Sequence, residues 1–231
     1  MNDWNPLPKP AEIAETRLLE AILDGTFPID SNLPGERDLA VQIGVTRPTL
    51  REALQRLARD GWLDIQQGKS TRVQDYWREG SLAVLNTLAQ SSNHSSPDFV
   101  AYLLQIRLLL APAYARQAVE NAPAEIDKFL LDAATLDDNP AAFALFDWQL
   151  HHLLTQQASN PVFRLLLNSF EQIYILMGEN YFSCETCRHH SRSFYTALLD
   201  CIADPSAAEI LTHQIMQESL DLWNNLQGDE K

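Results

Sequence analysis

The sequence predicts a mainly α-helical protein in two parts, a small mixed head followed by a larger bundle of antiparallel helices. Three observations carry this expectation. Glycine is scarce, 8 in 231 residues, and long alternating runs are absent. Apolar residues recur instead at three- and four-residue spacing in one segment after another, the period of a helix that buries one face. The exception is Trp62–Val73, where two short alternating runs flank Gln67-Gly68-Lys69-Ser70 and read as a β-hairpin. Hydrophobic residues make up 45% of the chain and charged ones 21%, enough to bury a sizeable core. The division expected is residues 1–78 for the head, 79–96 for a helical linker and 97–231 for an all-α domain.

Residues 1–9 are expected to form a loose arm. Ala11–Leu23 places Ile13, Leu18, Ala21 and Ile22 on one side of an amphipathic helix, which Gly25 ends. Phe27–Gly35 is a turn-rich connector. Glu36–Ile43 is a short helix with Leu39, Ala40 and Ile43 on its apolar face, stopped by Gly44. After the turn Gly44-Val45-Thr46, Thr46 is a good N-cap for a second helix. Pro48 is tolerated in its first turn, where a missing N–H has no intrahelical partner to lose. Leu50, Ala53, Leu54 and Leu57 then form a buried stripe, while Arg47, Thr49 and Arg51 fall off it at the exposed N-terminal end.

Such a helix pair has the layout of a helix-turn-helix. The second helix buries one face and offers polar donors from its first turns to base edges and phosphates. Arginine suits bidentate contact with guanine, and a helix N-terminus favours phosphate oxygens. A hairpin that comes directly after it is a wing, with Lys69 at its tip within reach of a phosphate. A helix pair alone is a weak signal, and the added Gly-Lys hairpin makes it specific.

The net charge of −14 argues at first against a nucleic-acid partner. Its distribution argues the other way. Residues 1–78 carry a net −2 and the rest −12, and residues 31–72, with seven basic and five acidic side chains, are net positive. An acidic body with a basic head fits contacts confined to one face.

Cys184, Cys187 and Cys201 cannot close a disulfide framework. Met1–Pro10 is polar and proline-rich, so no secretory leader is expected there. No uninterrupted apolar run reaches the roughly 18 residues of a membrane span. A cytoplasmic protein with no membrane partner is expected.

Tyr76 onward returns to helix, with Leu82, Leu85, Leu88 and Ala89 as a stripe and Gln90–Ser96 as a linker. Six helices are expected beyond it: Pro97–Glu120, kinked at Pro112, then Pro123–Leu136, Ala141–Ala158, Val162–Phe182, Glu185–Ile202 and Pro205–Leu226. Their connections are short, as in bundles.

The segments LPGERDLA, GVTRPTLREAL and LARDGWL and the Gly68-Lys69 wing resemble the winged-helix domain of the GntR family of bacterial regulators, nearest to its FadR subfamily. The likeness is dense over residues 30–90 and continues through ASNPVFRLLLNSF, ENYF and ESLDLW to Trp223. It implies a homodimer that binds a palindromic double-stranded operator through its heads. It further implies a C-terminal bundle that takes long-chain acyl-CoA and releases the DNA, repressing fatty acid degradation and activating unsaturated fatty acid synthesis. By the same resemblance Arg37, Thr46, Arg47, Thr49 and Arg51 contact the major groove and its phosphates, and Gln67, Gly68 and Lys69 form the wing tip in the minor groove. Arg107, Tyr181, Ser219 and Trp223 line or flank the ligand site, with Arg107 a candidate for the CoA phosphates. Pro48 and Gln67 stand where the subfamily has threonine and histidine; Met216 stands where it has a close-approach glycine and Ile215 where it has an aromatic.

Asp147 and His151 lie four apart and share a helix face. Metal-binding relatives carry this pair with two later histidines, here Tyr195 and Met216, so two ligands remain, too few for a closed site. No cofactor is expected. The alternative is a regulator of the same fold that senses a small carboxylate through a metal at Asp147 and His151. Cys184-x2-Cys187-x-His189-His190 has zinc-like spacing but lacks the second half of a zinc module. No motif assembles a catalytic set, so no enzyme is expected. A helical scaffold or enzyme with an idle winged helix is the rival from another class.

Overall fold

Helix α1 (Pro10–Leu23) buries Ala11, Ala14, Leu18 and Ile22, with Ile13 and Ala21 half-buried at the edges of the stripe. The computed structural model describes residues 8–90 and 97–228 of the chain, so most of the expected arm and of the Gln90–Ser96 linker lies outside the described residues. Two compact units emerge, one up to Thr87 and one from Leu88 on.

In the first unit α2 (Glu36–Ile43) ends at Gly44 with φ +77, a left-handed cap that glycine adopts without strain. The guanidinium of Arg17 on α1 donates to the last carbonyl of α2, at Ile43, which would otherwise lack a partner. Helix α3 (Arg47–Asp60) starts at the Thr46 cap and lays Leu50, Ala53, Leu54 and Leu57 against α1 and α2. Burying each leucine is worth about 1.5–3 kcal/mol, far more than the half-exposed Arg56–Glu15 pair between α3 and α1.

Strands β1 (Leu63–Asp64) and β2 (Arg72–Val73) pair antiparallel, Leu63 opposite Val73. The connector before α2 does more than turn. Asp30 and Leu33 donate to the carbonyls of Val73 and Thr71, and Asn32 bridges Arg72, so residues 30–33 add a third edge to the wing. The sequence hides this edge because Pro28 and Pro34 bracket only a handful of residues. Trp62, fully buried, packs on Tyr76 with ring centroids 4.7 Å apart and ties the ribbon to the helical segment beyond it. That segment comprises α4 (Tyr76–Glu79) and α5 (Leu82–Gln90). Among the described side chains of α5, Val84 and Leu88 are buried, whereas Leu82, expected on the stripe, is exposed.

In the second unit α6 (Pro97–Asn121) continues unbroken through Pro112 and packs on α8 (Pro140–Gln157) and α12 (Pro205–Gly228). Two expected helices are divided. The segment after Pro123 is α7 (Pro123–Leu131) and a 3-10 turn (Asp132–Thr135). The segment after Pro161 is α9 (Pro161–Ser169) and α10 (Glu171–Phe182), parted at Phe170. Helix α11 (Glu185–Asp200) precedes α12. Helix α8 is the core element. Phe143, Phe146, Trp148, Leu150 and Leu154 are buried around its circumference, together with Asp147 and His151. At Gly178 of α10 a Cβ would meet that of Ala144 on α8 at 3.2 Å, so glycine lets these two helices approach closely.

A DNA-reading head and a buried polar centre in the bundle

The first turn of α3 presents Arg47 and Arg51 to solvent, with Thr49 half-exposed beside them. Thr46 caps the helix by accepting from the Thr49 N–H, and the two hydroxyls lie 2.8 Å apart. Arg51 donates to Glu36 at 2.7 Å, yet its side chain remains 63% exposed, and such a pair holds by little in water. Arg37 and Arg47 are exposed and make no ion pair among the described residues. At the wing the Lys69 N–H donates to the Gln66 carbonyl across a turn whose third residue, Gly68, has φ +75. That turn exposes Gln67, Gly68 and Lys69 together. All the sequence-expected DNA contacts are therefore on the surface of one unit, and no buried group must move to free them.

The bundle holds the second site. Arg107 of α6 is largely but not fully buried, its side chain 13% exposed, with one guanidinium nitrogen 3.1 Å from Asp147 Oδ2 and the other 2.9 Å from His151 Nε2. Asp147 also accepts from Tyr174 of α10 at 2.7 Å and Tyr195 of α11 at 3.0 Å. The second His151 nitrogen lies 2.6 Å from the Tyr114 hydroxyl of α6. A guanidinium only donates, so Nε2 is the acceptor and Nδ1 carries the proton. Burial and then the Arg107 charge depress the His151 pKa to about 3, which keeps the ring neutral. Burial alone would raise the Asp147 carboxyl, but the Arg107 charge and the two tyrosine hydroxyls outweigh it and hold it below the usual range. Arg107 keeps its charge for the converse reason, the facing carboxylate.

This arrangement does not fit a metal. The metal-facing oxygens and nitrogen of Asp147 and His151 point at a fixed guanidinium, which would repel a divalent cation. Tyr195 spends its hydroxyl on Asp147, and Met216 offers no strong donor. Among the described residues no group of three His, Cys, Asp or Glu side chains could hold a metal ion. His190 lies 3.4 Å from the Ile215 carbonyl of α12 and 3.9 Å from Glu218, so it turns away from the two cysteines of the zinc-like spacing.

Two cavities flank Arg107. One is an apolar cleft that runs between α6, α9 and the start of α10 and is walled by Leu103, Ile106, Leu110, Phe163, Leu167 and Phe170. The other lies between α6, α8 and α10 and is walled by Val100, Leu104, Met177, Gly178, Tyr181 and Phe182. Arg107, Leu103 and Tyr174 border both, and each is narrow, so an occupant must part these apolar walls. The Tyr181 ring lies 5.8 Å from that of Trp223. Its hydroxyl is buried beside Ser219 and Cys187 without a well-formed hydrogen bond to either. Ser219 donates instead to the Ile215 carbonyl at 2.8 Å. So Tyr181, Ser219 and Trp223 do come together, as expected. Arg107 pairs its charge with Asp147 inside the bundle, while it borders both clefts and its Nε has no hydrogen-bond partner among the described residues. No sequence motif marks Tyr114 or Tyr174 as members of this centre. The i, i+7 spacing of Arg107 and Tyr114 places both on one face of α6, but nothing local reveals that α8, α10 and α11 meet there.

Head and bundle together define a winged-helix DNA-binding regulator with a helical domain that carries two apolar clefts beside a buried polar centre. Two family models divide the chain between them, bacterial regulatory proteins of the gntR family over residues 10–73 and the FadR C-terminal domain over residues 74–230. The chain belongs to the FadR branch of the GntR family, and it is a transcription regulator and not an enzyme. The fatty acid metabolism regulator protein of Yersinia enterocolitica is 38% identical over 221 residues, 95% of this chain and 92% of that one. The protein of the same name from Shewanella pealeana is 39% identical over 222 residues, 95% and 93% of the two chains. Among solved structures, one titled for Lar, which controls the agr system of Listeria monocytogenes, matches 96% of this chain and 100% of that one. It does so with a TM-score of 0.63 at 16% identity, a likeness of fold alone.

Proposed function

We propose that this regulator governs fatty acid metabolism, binding a palindromic operator as a homodimer and releasing it when long-chain acyl-CoA enters the bundle. The relatives named fatty acid metabolism regulators support the field of action. The observation that carries the ligand is the pair of apolar cavities meeting at Arg107, with the unsatisfied Tyr181 hydroxyl at the wall of the second. An acyl chain is the occupant such walls favour, gaining about 0.8 kcal/mol for each CH₂ taken out of water. A buried hydroxyl with an unmade bond, next to Ser219, suits the polar thioester and amide groups at the head of the chain. Met216, which stands in place of a glycine, is buried on α12 and lines neither cleft. A small carboxylate bound through a metal finds no support in the geometry, because Arg107 fills the space between Asp147 and His151. The cell compartment in keeping with this reading is the cytoplasm, where operator and thioester are both present.

Titration calorimetry with oleoyl-CoA, free CoA and citrate tests the ligand. Saturable binding of oleoyl-CoA alone, with a negative heat-capacity change, is expected. Binding of citrate that is abolished by a chelator, with none of the thioester, would overturn the assignment.

A further inference from the structure

Cys184 and Cys187 bracket the first turn of α11. Cys184 is the N-cap, half-buried, and its sulfur faces the N–H groups of Thr186 and Cys187 and the Cys187 thiol without closing a tight cap. Cys187 is fully buried and lies between Cys184 and the Tyr181 hydroxyl. Both thiols are free. With Cys184 as the extended N-cap and Cys187 three residues on, the two sulfurs lie side by side over the first turn of α11, the Cys-x-x-Cys placement at a helix start that exchanges between dithiol and disulfide. We propose that Cys184 and Cys187 form a thiol–disulfide exchange site, which small disulfides such as glutathione disulfide convert to an intramolecular bridge.

The two thiols are unlike in the way exchange requires. Burial works against a Cys184 thiolate, but the N–H groups of the helix start and the Cys187 thiol prevail and lower its pKa. Burial, with Cys184 alongside, pushes the Cys187 thiol up to about 12. The partly open sulfur is therefore the attacking one and the buried sulfur the resolving one. The Cys184 thiolate attacks one sulfur of the small disulfide, forms a mixed disulfide and expels one small thiolate. That thiolate takes the Cys187 proton. The Cys187 sulfur then attacks Cys184 Sγ, closing the bridge and releasing the second small thiol. Two protein thiols are oxidised and one small disulfide is reduced to two thiols. Cys201 serves as an internal control, since burial and the adjacent Asp200 and Asp204 keep its thiol protonated.

The bridge would also reach the cavity. Closing it draws the Cys187 sulfur toward Cys184 and away from the Tyr181 hydroxyl, whose ring walls the second cavity and faces Trp223. The bridge itself does not depend on what that cavity binds.

The test uses the full-length protein in glutathione redox buffers, quenched by alkylation and read by mass. Wild type is expected to lose two alkylatable thiols and two hydrogens in mass, retaining no glutathione. Cys187→Ser is expected to stop with one glutathione on Cys184, and Cys201→Ser to behave as wild type. Cys184→Ser is expected to react about tenfold more slowly than wild type. Glutathione retained on the wild type, a bridge through Cys201 or equal rates for the Cys184→Ser and Cys201→Ser proteins would overturn the proposal. The near-ultraviolet circular dichroism of reduced and oxidised wild type is expected to differ. Identical spectra would overturn the link to Tyr181.

Discussion

Arg107 shows what one side chain decides in this protein. It sits against the two side chains that the metal reading requires, held by Asp147 at 3.1 Å and by His151 at 2.9 Å. Sequence spacing correctly put Asp147 and His151 on one face of one helix, but it could not show which cation faces them. The partner comes from another helix 40 residues earlier, and no local period connects the two. A pH prediction comes from His151. Its unfolded pKa is near 6.5 and its folded pKa about 3, so below pH 6.5 the unfolded chain takes up a proton that the fold refuses. Stability should fall as the pH falls through this window, by about 1.4 kcal/mol per unit from this group. His151→Gln removes the titration, so urea denaturation between pH 6 and 4.5 should show a shallower slope in the variant, whatever its absolute stability. Equal slopes would show that His151 charges inside the fold. In the head, Arg47 is exposed at the start of α3 and bears no ion pair to break among the described residues. Arg47→Ala should cost about 1–3 kcal/mol in specific DNA binding, read by anisotropy on a selected duplex, and leave thermal stability unchanged.

At the scale of elements, the head was legible because each of its boundaries has a chemical stop. Gly44 ends α2 in a left-handed cap, Thr46 opens α3 and Gly68 turns the wing. Helices α7 and α9 were read too long because their breaks carry no such mark. Phe170 parts α9 from α10 with ordinary right-handed dihedrals, φ −102 and ψ 0. The sequence there simply continues its apolar spacing, while in the fold the helix breaks and Phe170 walls the first cavity. The third edge of the wing was missed for a related reason, since pairing of residues 30–33 with β2 is long-range. The wing itself makes a separable prediction. Lys69 at its exposed tip donates to Gln66, a neutral partner that leaves its charge available to a phosphate. Lys69→Ala should weaken binding to all duplexes alike and lower the salt slope by about one charge. A loss confined to one sequence would mean that the wing reads bases.

Over the whole molecule the charge is divided as the work is. The net-positive stretch lies in the unit that carries α3 and the wing, and the −12 beyond residue 78 lies mostly in the unit that carries the cavities. Helix α6 is long and apolar enough to cross a membrane by length and composition, with a mean hydropathy of 1.2 over its most apolar stretch. Here it is the bundle's central partner, packed on α8 and α12, and it carries Arg107 into an ion pair. Of its exposed Tyr102, Ile106 and Leu109, Ile106 is part of the wall of the first cavity. A ligand that fills these cavities changes what the bundle buries, and any differential affinity it has for two forms of the protein shifts the population of the form that holds DNA. The most direct measurement is fluorescence anisotropy of the full-length protein on a palindromic duplex it selects from a random pool, titrated with oleoyl-CoA and, separately, with CoA and citrate. Release of the duplex by oleoyl-CoA alone, at concentrations matching its calorimetric affinity, is the predicted result. A complex that survives saturating oleoyl-CoA, or one released equally by free CoA, would contradict it.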